Sequence, residues 1–416
     1  AQALLVLVSV GSAERRFGHP LGQPRAMAPE REVPPPPVLE MDVAVLAGIK
    51  QLKVLKRKVG PPAAKEVQLK INCVGICGSD MAYWSKGLAG GFVQLDFSEA
   101  GLCQGYCGQM GHECAGTVTA VGEEVTNLQV GDRVAMEPGV PCGDCKACRK
   151  GRYNLCPRMR FIGSAVNRVP GALCQVFNHA ASYCYKLPEH VSLEEGAMLE
   201  PMCVALQAVT RAKVGVGMHV FVSGAGPIGL LTALCARAAG AASVTITDMV
   251  DAKLRKAAEL GVEYPLRADD PELLSVMERN VGDKFDVCFE CCGVQAAVAL
   301  CVKAAASGGV VCVVANLPEV TPTRLQEASR REIDIVGVYR YCNLYPTALA
   351  LVASGRVNLK PLVSRKYPLA AANEAFEHFA TGEPIKVLIE PNPPEEANPP
   401  EEAEVACPPA KVARHG

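Results

Sequence analysis

Apolar positions fall into two regimes along the chain. Between Val38 and Met136 they alternate in short runs broken by turn residues. The segments 41–46, 52–55, 66–74, 115–121 and 132–136 each predict a strand, with Gly131-Asp132 among the breaks. They predict a β-rich module of about 150 residues, folded as a partly open barrel. Near Met202 the period changes, and strand-length apolar runs begin to alternate with helix-length segments. The run His219–Ser223, bounded by Gly217 and Gly224, predicts a buried strand, and the Ala- and Leu-rich stretch 228–239 a helix. Strands at 243–247, 285–290, 310–314 and 333–338 and helices at 253–260 and 295–306 continue the series. The α/β class follows, with a doubly wound parallel sheet.

After Arg340, a helix at 346–353, the stretch 359–369 and a last strand at 386–389 are expected to return to the first module, because the second sheet is already complete. The expected division is an extension at 1–37, one domain from 38–201 and 344–390, a second at 202–343, and a tail at 391–416. In the extension, the apolar run 4–10 has no basic residue before it and is too short for a secretory signal. Arg15-Arg16 leave organellar targeting by residues 1–26 open, while Met27 opens MAPEREVPPPP as the more natural start, with 34–37 a stiff spacer. The tail repeats NPPEEA at 392–397 and 398–403; acidic and proline-rich, it is expected to stay disordered.

Composition narrows the function. Charged residues make up 20% and the formal net charge is -1, without the clustered basic excess of a nucleic-acid binder. No apolar run reaches the ~18 residues of a membrane span, so a soluble, cytoplasmic protein is expected. The 20 cysteines do not form a disulfide pattern: Cys235, Cys288, Cys301 and Cys312 sit inside apolar runs, as small buried hydrophobes do. Reduced, intracellular chemistry is the expectation.

Three constellations carry chemistry. Gly224, Gly226 and Gly229 follow the first strand of the second domain in G-x-G-x-x-G spacing, and Asp248 ends the next strand. Such glycines permit a tight turn, close approach of a pyrophosphate and close helix packing; the phosphates sit at the helix N-terminus, which Ile228 helps open. Asp248 would accept from a ribose 2′-OH and repel a 2′-phosphate, which favours NAD. Second, Cys142, Cys145, Cys148 and Cys156 lie in PCGDCKACRKGRYNLCP, the spacing of a closed tetrahedral structural zinc site, with an iron–sulfur cluster the lesser alternative. Third, Cys77 in VGICGSD and His112-Glu113 in MGHECAG offer thiolate, imidazole and carboxylate, a set suited to a zinc that keeps an open position. Spacing alone does not separate this last set from a buried core histidine.

Together with VGDRVAMEPG, GRYNLCP, LPEHVSLEEGAMLEP, GAGPIGL and GVYRYCN, these motifs resemble the zinc-dependent medium-chain dehydrogenases, and among them the sorbitol (polyol) dehydrogenases, over about residues 40–390. The resemblance implies a GroES-like barrel joined to a Rossmann domain. It implies Cys77, His112 and Glu113 as ligands of a catalytic zinc, with water completing the set, and Glu200 as the acid that holds this water. Ser79 becomes the hydroxyl of a proton relay, and Tyr83, Glu200, Arg340 and Tyr341 line the substrate site. The implied cofactors are two zinc ions per subunit and NAD. The implied reaction is reversible polyol oxidation to the ketose, in a homotetramer or homodimer without nucleic-acid or membrane partners. Another secondary alcohol, of sugar-acid or threonine type, or a catalytically impaired NAD-binding structural protein, are the alternatives. The chain departs from the family at Ala82, where a histidine is usual, at a 98–109 insertion bearing Cys103 and Cys107, and at IGSAVNRVPG, where a proline-rich pocket segment is usual.

Overall fold

A computed structural model describes residues 37–89, 93–95, 97, 108–166 and 168–393. The extension up to residue 36, the Cys103–Cys107 pair of the insertion and the tail repeat beyond residue 393 lie outside the described residues.

The first module is built around the strand Glu66–Gly75. It pairs antiparallel with Glu113–Val121 on one side and with Val176–Ala180 and Lys386–Glu390 on the other. The sheet extends through Arg133–Met136 to Cys184–Lys186, and at its far edge Val363–Pro368 runs parallel to Lys386–Glu390. The strands 363–368 and 386–390 therefore belong to the barrel sheet, although some 300 residues of sequence separate them from Glu66–Gly75. Leu69, Ile71, Val74, Ile76, Trp84, Met136, Phe376 and Ile389 fill its core. A separate hairpin, Leu39–Gly48 with Gln51–Val59, packs Val43 and Val45 against Cys174.

The second module is a six-stranded, all-parallel sheet. Its order is Tyr264–Arg267, Ser243–Asp248, His219–Ser223, Phe285–Glu290, Ala305–Val313, Asp334–Gly337. This is the 3-2-1-4-5-6 order of a dinucleotide-binding fold, and its order reverses beside the strand that carries the glycine turn. The central strands are buried on both faces, which is why they read as continuous apolar runs. The edge strand Tyr264–Arg267 is not among the strands expected from the sequence, and the strand from Ala305 replaces the end of the helix expected at 295–306.

One helix joins the two modules. Leu193–Arg211 is capped reciprocally by Ser192 and Glu195, runs through positions 201–202, and touches both the barrel strands and the helix after the glycine turn. Glu200 sits midway along it, so both modules fix its position.

Candidate active site and metal centres

Strand register brings the first donor set together. Glu113 lies opposite Gly75, two residues before Cys77, so His112, Glu113 and Cys77 converge at one end of the strand pair. Their ligand atoms all lie within 4.8 Å of one another. A Cβ at Gly75 would collide with Oε2 of Glu113, so any larger residue there would displace that carboxylate. Cys77 also caps the helix Gly78–Lys86, and its N–H donates to Asp80 Oδ2 at 3.1 Å. The other Asp80 oxygen has no hydrogen-bond partner and faces His112 Nδ1 at 3.6 Å. A carboxylate behind the imidazole is the arrangement that orients a metal-binding histidine.

The charges around this set are buried. Burial alone would keep His112 neutral, but Asp80 and Cys77 raise its pKa well above the ordinary value. Lys386 is buried with its Nζ 2.6 and 2.9 Å from the two Glu113 oxygens and 3.0 Å from the Ile76 carbonyl. Burial would lower its pKa, but Glu113 and Cys77 raise it. Glu200 is buried nearby and accepts from the Tyr341 hydroxyl at 3.0 Å; burial pushes its pKa up to about 7. Arg340, in a left-handed backbone conformation, lays its guanidinium 4.0 Å over the Phe161 ring, which in turn packs 5.5 Å from His112. Tyr83 is buried in the barrel core and senses the charges of Asp80 and His112. Ser79 is half-buried at the start of the same helix, between Cys77 and Asp80.

The structure thus gathers Cys77, His112, Glu113, Glu200, Tyr341, Arg340, Tyr83 and Ser79 in one region. Sequence reasoning missed Asp80, Phe161 and Lys386. Asp80 had a signal, since an acid three residues after a helix cap is a capping-box position.

The four-cysteine lobe is a second donor set. Cys142–Cys156 and Cys145–Cys148 sulfurs lie 3.4 Å apart and Cys142–Cys148 3.9 Å apart. Four sulfurs at zinc–sulfur distances of about 2.3 Å on a tetrahedron stand about 3.8 Å apart, so these spacings fit zinc and are far too long for disulfides. Gly143 and Gly151 turn the chain with φ of 79° and 69°. The Cys148 backbone lowers the Cys145 thiol to about 7, while burial pushes Cys148 up to about 12, so the metal-free lobe shares few thiolates and a bound metal would have to draw off the remaining protons.

The glycine turn forms the third site. Gly224 has φ 104°, and a Cβ on Gly229 would collide with the Gly224 carbonyl oxygen. Nothing of the protein lies within 4 Å of a Cβ placed on Gly226, which caps the helix Pro227–Ala238. That open face, with Ile228 in the first helical turn, leaves room for an anion at the helix N-terminus. Asp248 Oδ2 accepts from Ala225 N and Oδ1 from Val250 N, both at 2.9 Å. Asp248 also lines a cleft of about 600 Å³ with Ser223, Thr247, Asp270 and Cys292, and the cleft has two acids and no cation in its lining.

A barrel with paired donor sets, set against a 3-2-1-4-5-6 sheet, defines a medium-chain dehydrogenase. Residues 63–189 match the model of the alcohol dehydrogenase GroES-like domain, and residues 227–354 that of the zinc-binding dehydrogenase. The chain belongs to this zinc-binding, medium-chain dehydrogenase family. It is 42% identical to sorbitol dehydrogenase of Gallus gallus over 348 residues, 83% of this chain and 95% of the relative. Identity to sorbitol dehydrogenase of Homo sapiens is 40% over 355 residues, 85% and 96% of the two chains. Among solved structures it is similar to L-idonate 5-dehydrogenase from Escherichia coli, with 27% identity, a TM-score of 0.77 and coverage of 85% and 99%. Among the described residues no helix is long and apolar enough to cross a membrane.

Proposed function

We propose that the protein oxidises a secondary hydroxyl of a sorbitol- or xylitol-type polyol to the ketose, reversibly, with NAD as hydride acceptor. The observation that carries this reading is the buried Glu200, held by Tyr341 beside Cys77, His112 and Glu113. An acid there, in place of the second cysteine of simple alcohol dehydrogenases, is what the resemblance to the polyol dehydrogenases implies. The names of the sorbitol dehydrogenase relatives support the same substrate class.

Cys77, His112 and Glu113 would hold a catalytic zinc, and Cys142, Cys145, Cys148 and Cys156 a structural one. When bound, zinc supplies Lewis acidity toward a substrate hydroxyl and NAD takes up the hydride. The chain's own residues do the rest. Asp80 fixes the His112 ring, Lys386 neutralises Glu113, and Tyr341 orients Glu200 toward the hydroxyl region. Ser79 passes the hydroxyl proton outward. Tyr83, Arg340 and Tyr341 bound the polyol, with Phe161 excluding water on the His112 side. Gly224, Gly226, Ile228 and Gly229 seat the pyrophosphate and Asp248 takes the ribose hydroxyl. Residues 38–201 with 344–390 make up the catalytic domain and 202–343 the nucleotide domain. A cytoplasmic homodimer or homotetramer is the assembly this reading expects.

A sugar acid is the second reading, favoured by Arg340, whose guanidinium could pair with a carboxylate. Initial rates of NADH formation on sorbitol, xylitol, L-idonate and L-threonine decide between them. Turnover on the polyols alone supports the proposal, whereas turnover confined to idonate or threonine overturns it.

A further inference from the structure

The hairpin strand Gln51–Val59 is strongly basic. It carries Lys53, Lys56, Arg57 and Lys58, and among the described strands it pairs only with Leu39–Gly48. Between it and the strand Val176–Ala180 lies a groove of about 390 Å³. Arg57, Lys58 and Arg160 line the groove against a single acid, Glu66, which already accepts from the Ala63 N–H at 3.1 Å. Lys58 and Arg160 are exposed and form no ion pair among the described residues. Val59 and Phe177, both half-buried, add apolar surface to the lining.

The chain leaves the described residues beside this groove. Asn392 Nδ2 donates to the Ile71 and Gln175 carbonyls at 2.8 and 2.7 Å. Gln175 immediately precedes Val176, and two bonds tie it to Asp42: its N–H donates to the Asp42 carbonyl at 3.1 Å, and the Asp42 N–H to its Oε1 at 2.9 Å. Asp42 follows Met41, which pairs with Arg57 across the hairpin. Beyond Pro393 the sequence carries Glu395, Glu396, Glu401, Glu402 and Glu404, and no cation before Lys411. Pro394, Pro399 and Pro400 favour extended backbone at about 3.1 Å per residue. Glu395 to Glu402 therefore come ~9 to ~31 Å along the chain from Asn392, while a five-residue strand is about 17 Å long, so the reach is sufficient.

We propose that the acidic segment 394–404 of this same chain docks in the groove, with its glutamates against Arg57, Lys58 and Arg160 and its prolines on Val59 and Phe177. A segment too polar to form a core of its own can still be held by a surface that the fold supplies. Each exposed ion pair is weak alone. The anchor at Asn392 presents the glutamates at about millimolar effective concentration, so a few weak pairs suffice. Arg160 lines the groove, whereas its neighbour Phe161 packs toward His112 and Arg340, so the docked segment would brace this short strand from behind. The docking itself does not depend on the proposed reaction.

The test is carbodiimide coupling of the full chain, read by peptide mass spectrometry on an equal mixture of isotope-labelled and unlabelled protein. The reagent activates a carboxyl group, and an amine in contact displaces it to form an amide, the elements of water leaving as the urea. The expected result is coupling of the tail glutamates to Lys58 within one copy, falling about fivefold or more when salt is raised to ~0.5 M. A variant combining Glu395→Gln, Glu396→Gln, Glu401→Gln and Glu402→Gln leaves every described residue unchanged. Hydrogen exchange over 57–59 and 176–180 should be about threefold or more faster in it than in the wild type. Absence of the Lys58 coupling, or coupling spread equally to the exposed Lys213, would overturn the proposal. So would coupling only between copies, coupling of Lys58 to Glu99 of the insertion instead, or equal exchange in the two proteins.

Discussion

Lys386 Nζ reaches both oxygens of Glu113, at 2.6 and 2.9 Å, with both side chains all but fully buried. The pair explains how a carboxylate can wait inside the barrel before a metal arrives. Removing one partner of a buried pair leaves the other charge uncompensated, at a cost of about 3–5 kcal/mol. Lys386→Met should therefore destabilise the metal-free protein by about that amount in urea unfolding, and zinc should restore more stability to the variant than to the wild type. Equal metal-free stability would show that the pair does not hold the site.

Gly75 is the steric counterpart of this pair. Alanine there must push Glu113 aside. Gly75→Ala should lower stability by about 1–3 kcal/mol and cost the protein one zinc while the four-cysteine lobe keeps the other. Metal analysis of the purified variant checks this, and full zinc content would contradict it.

The donor set Cys77, His112 and Glu113 came from family resemblance, because its spacing alone is equally that of a buried core histidine; the strand pairing that sets Gly75 opposite Glu113, and so brings the three together, is not written in the local sequence. The cysteine lobe and the glycine turn were legible, since each lies within a short stretch of sequence. Lys386 was not. It sits 273 residues from Glu113 within an apolar strand, and nothing local distinguishes it from a charge at a barrel rim. The edge strand Tyr264–Arg267 was missed because all four of its positions are half-buried and one is proline, so no apolar run marks it. The roles of Glu200, Arg340 and Tyr341 came from family resemblance; their proximity depends on a helix and a turn that the pattern alone does not orient.

Glu200 gives a signed pH dependence. Burial raises its pKa from 4.5 to about 7 in the folded chain. Across that window the folded state holds a proton that the unfolded chain has released, so the stability of the metal-free protein falls as pH rises through it. Glu137 and Glu290 are also raised by burial and act in the same sense, so the informative quantity is a difference. Glu200→Gln should lose less stability than the wild type between pH 4.5 and 7, measured by urea midpoints in the presence of a chelator. Parallel curves would contradict the assignment.

Gly229 packs too closely on Gly224 to carry a side chain. Gly229→Ala should weaken NADH binding by more than about tenfold, read from cofactor fluorescence, while leaving zinc content unchanged. Undiminished binding would move the cofactor away from this turn.

Ala82, where the resemblance led a histidine to be expected, lies on the helix that carries Ser79 and Asp80. Ala82→His should shift the pH–rate profile for polyol oxidation without changing metal content. An unchanged profile would mean that this position takes no part in proton transfer.

The central claim is that both donor sets hold zinc and that the first of them oxidises a polyol. Zinc per subunit, measured on the same preparation as NADH formation from sorbitol and xylitol, tests it most directly. Two zincs together with turnover are the expected result. One zinc without turnover would mean that only the four-cysteine lobe is filled and would contradict the assignment of Cys77, His112 and Glu113.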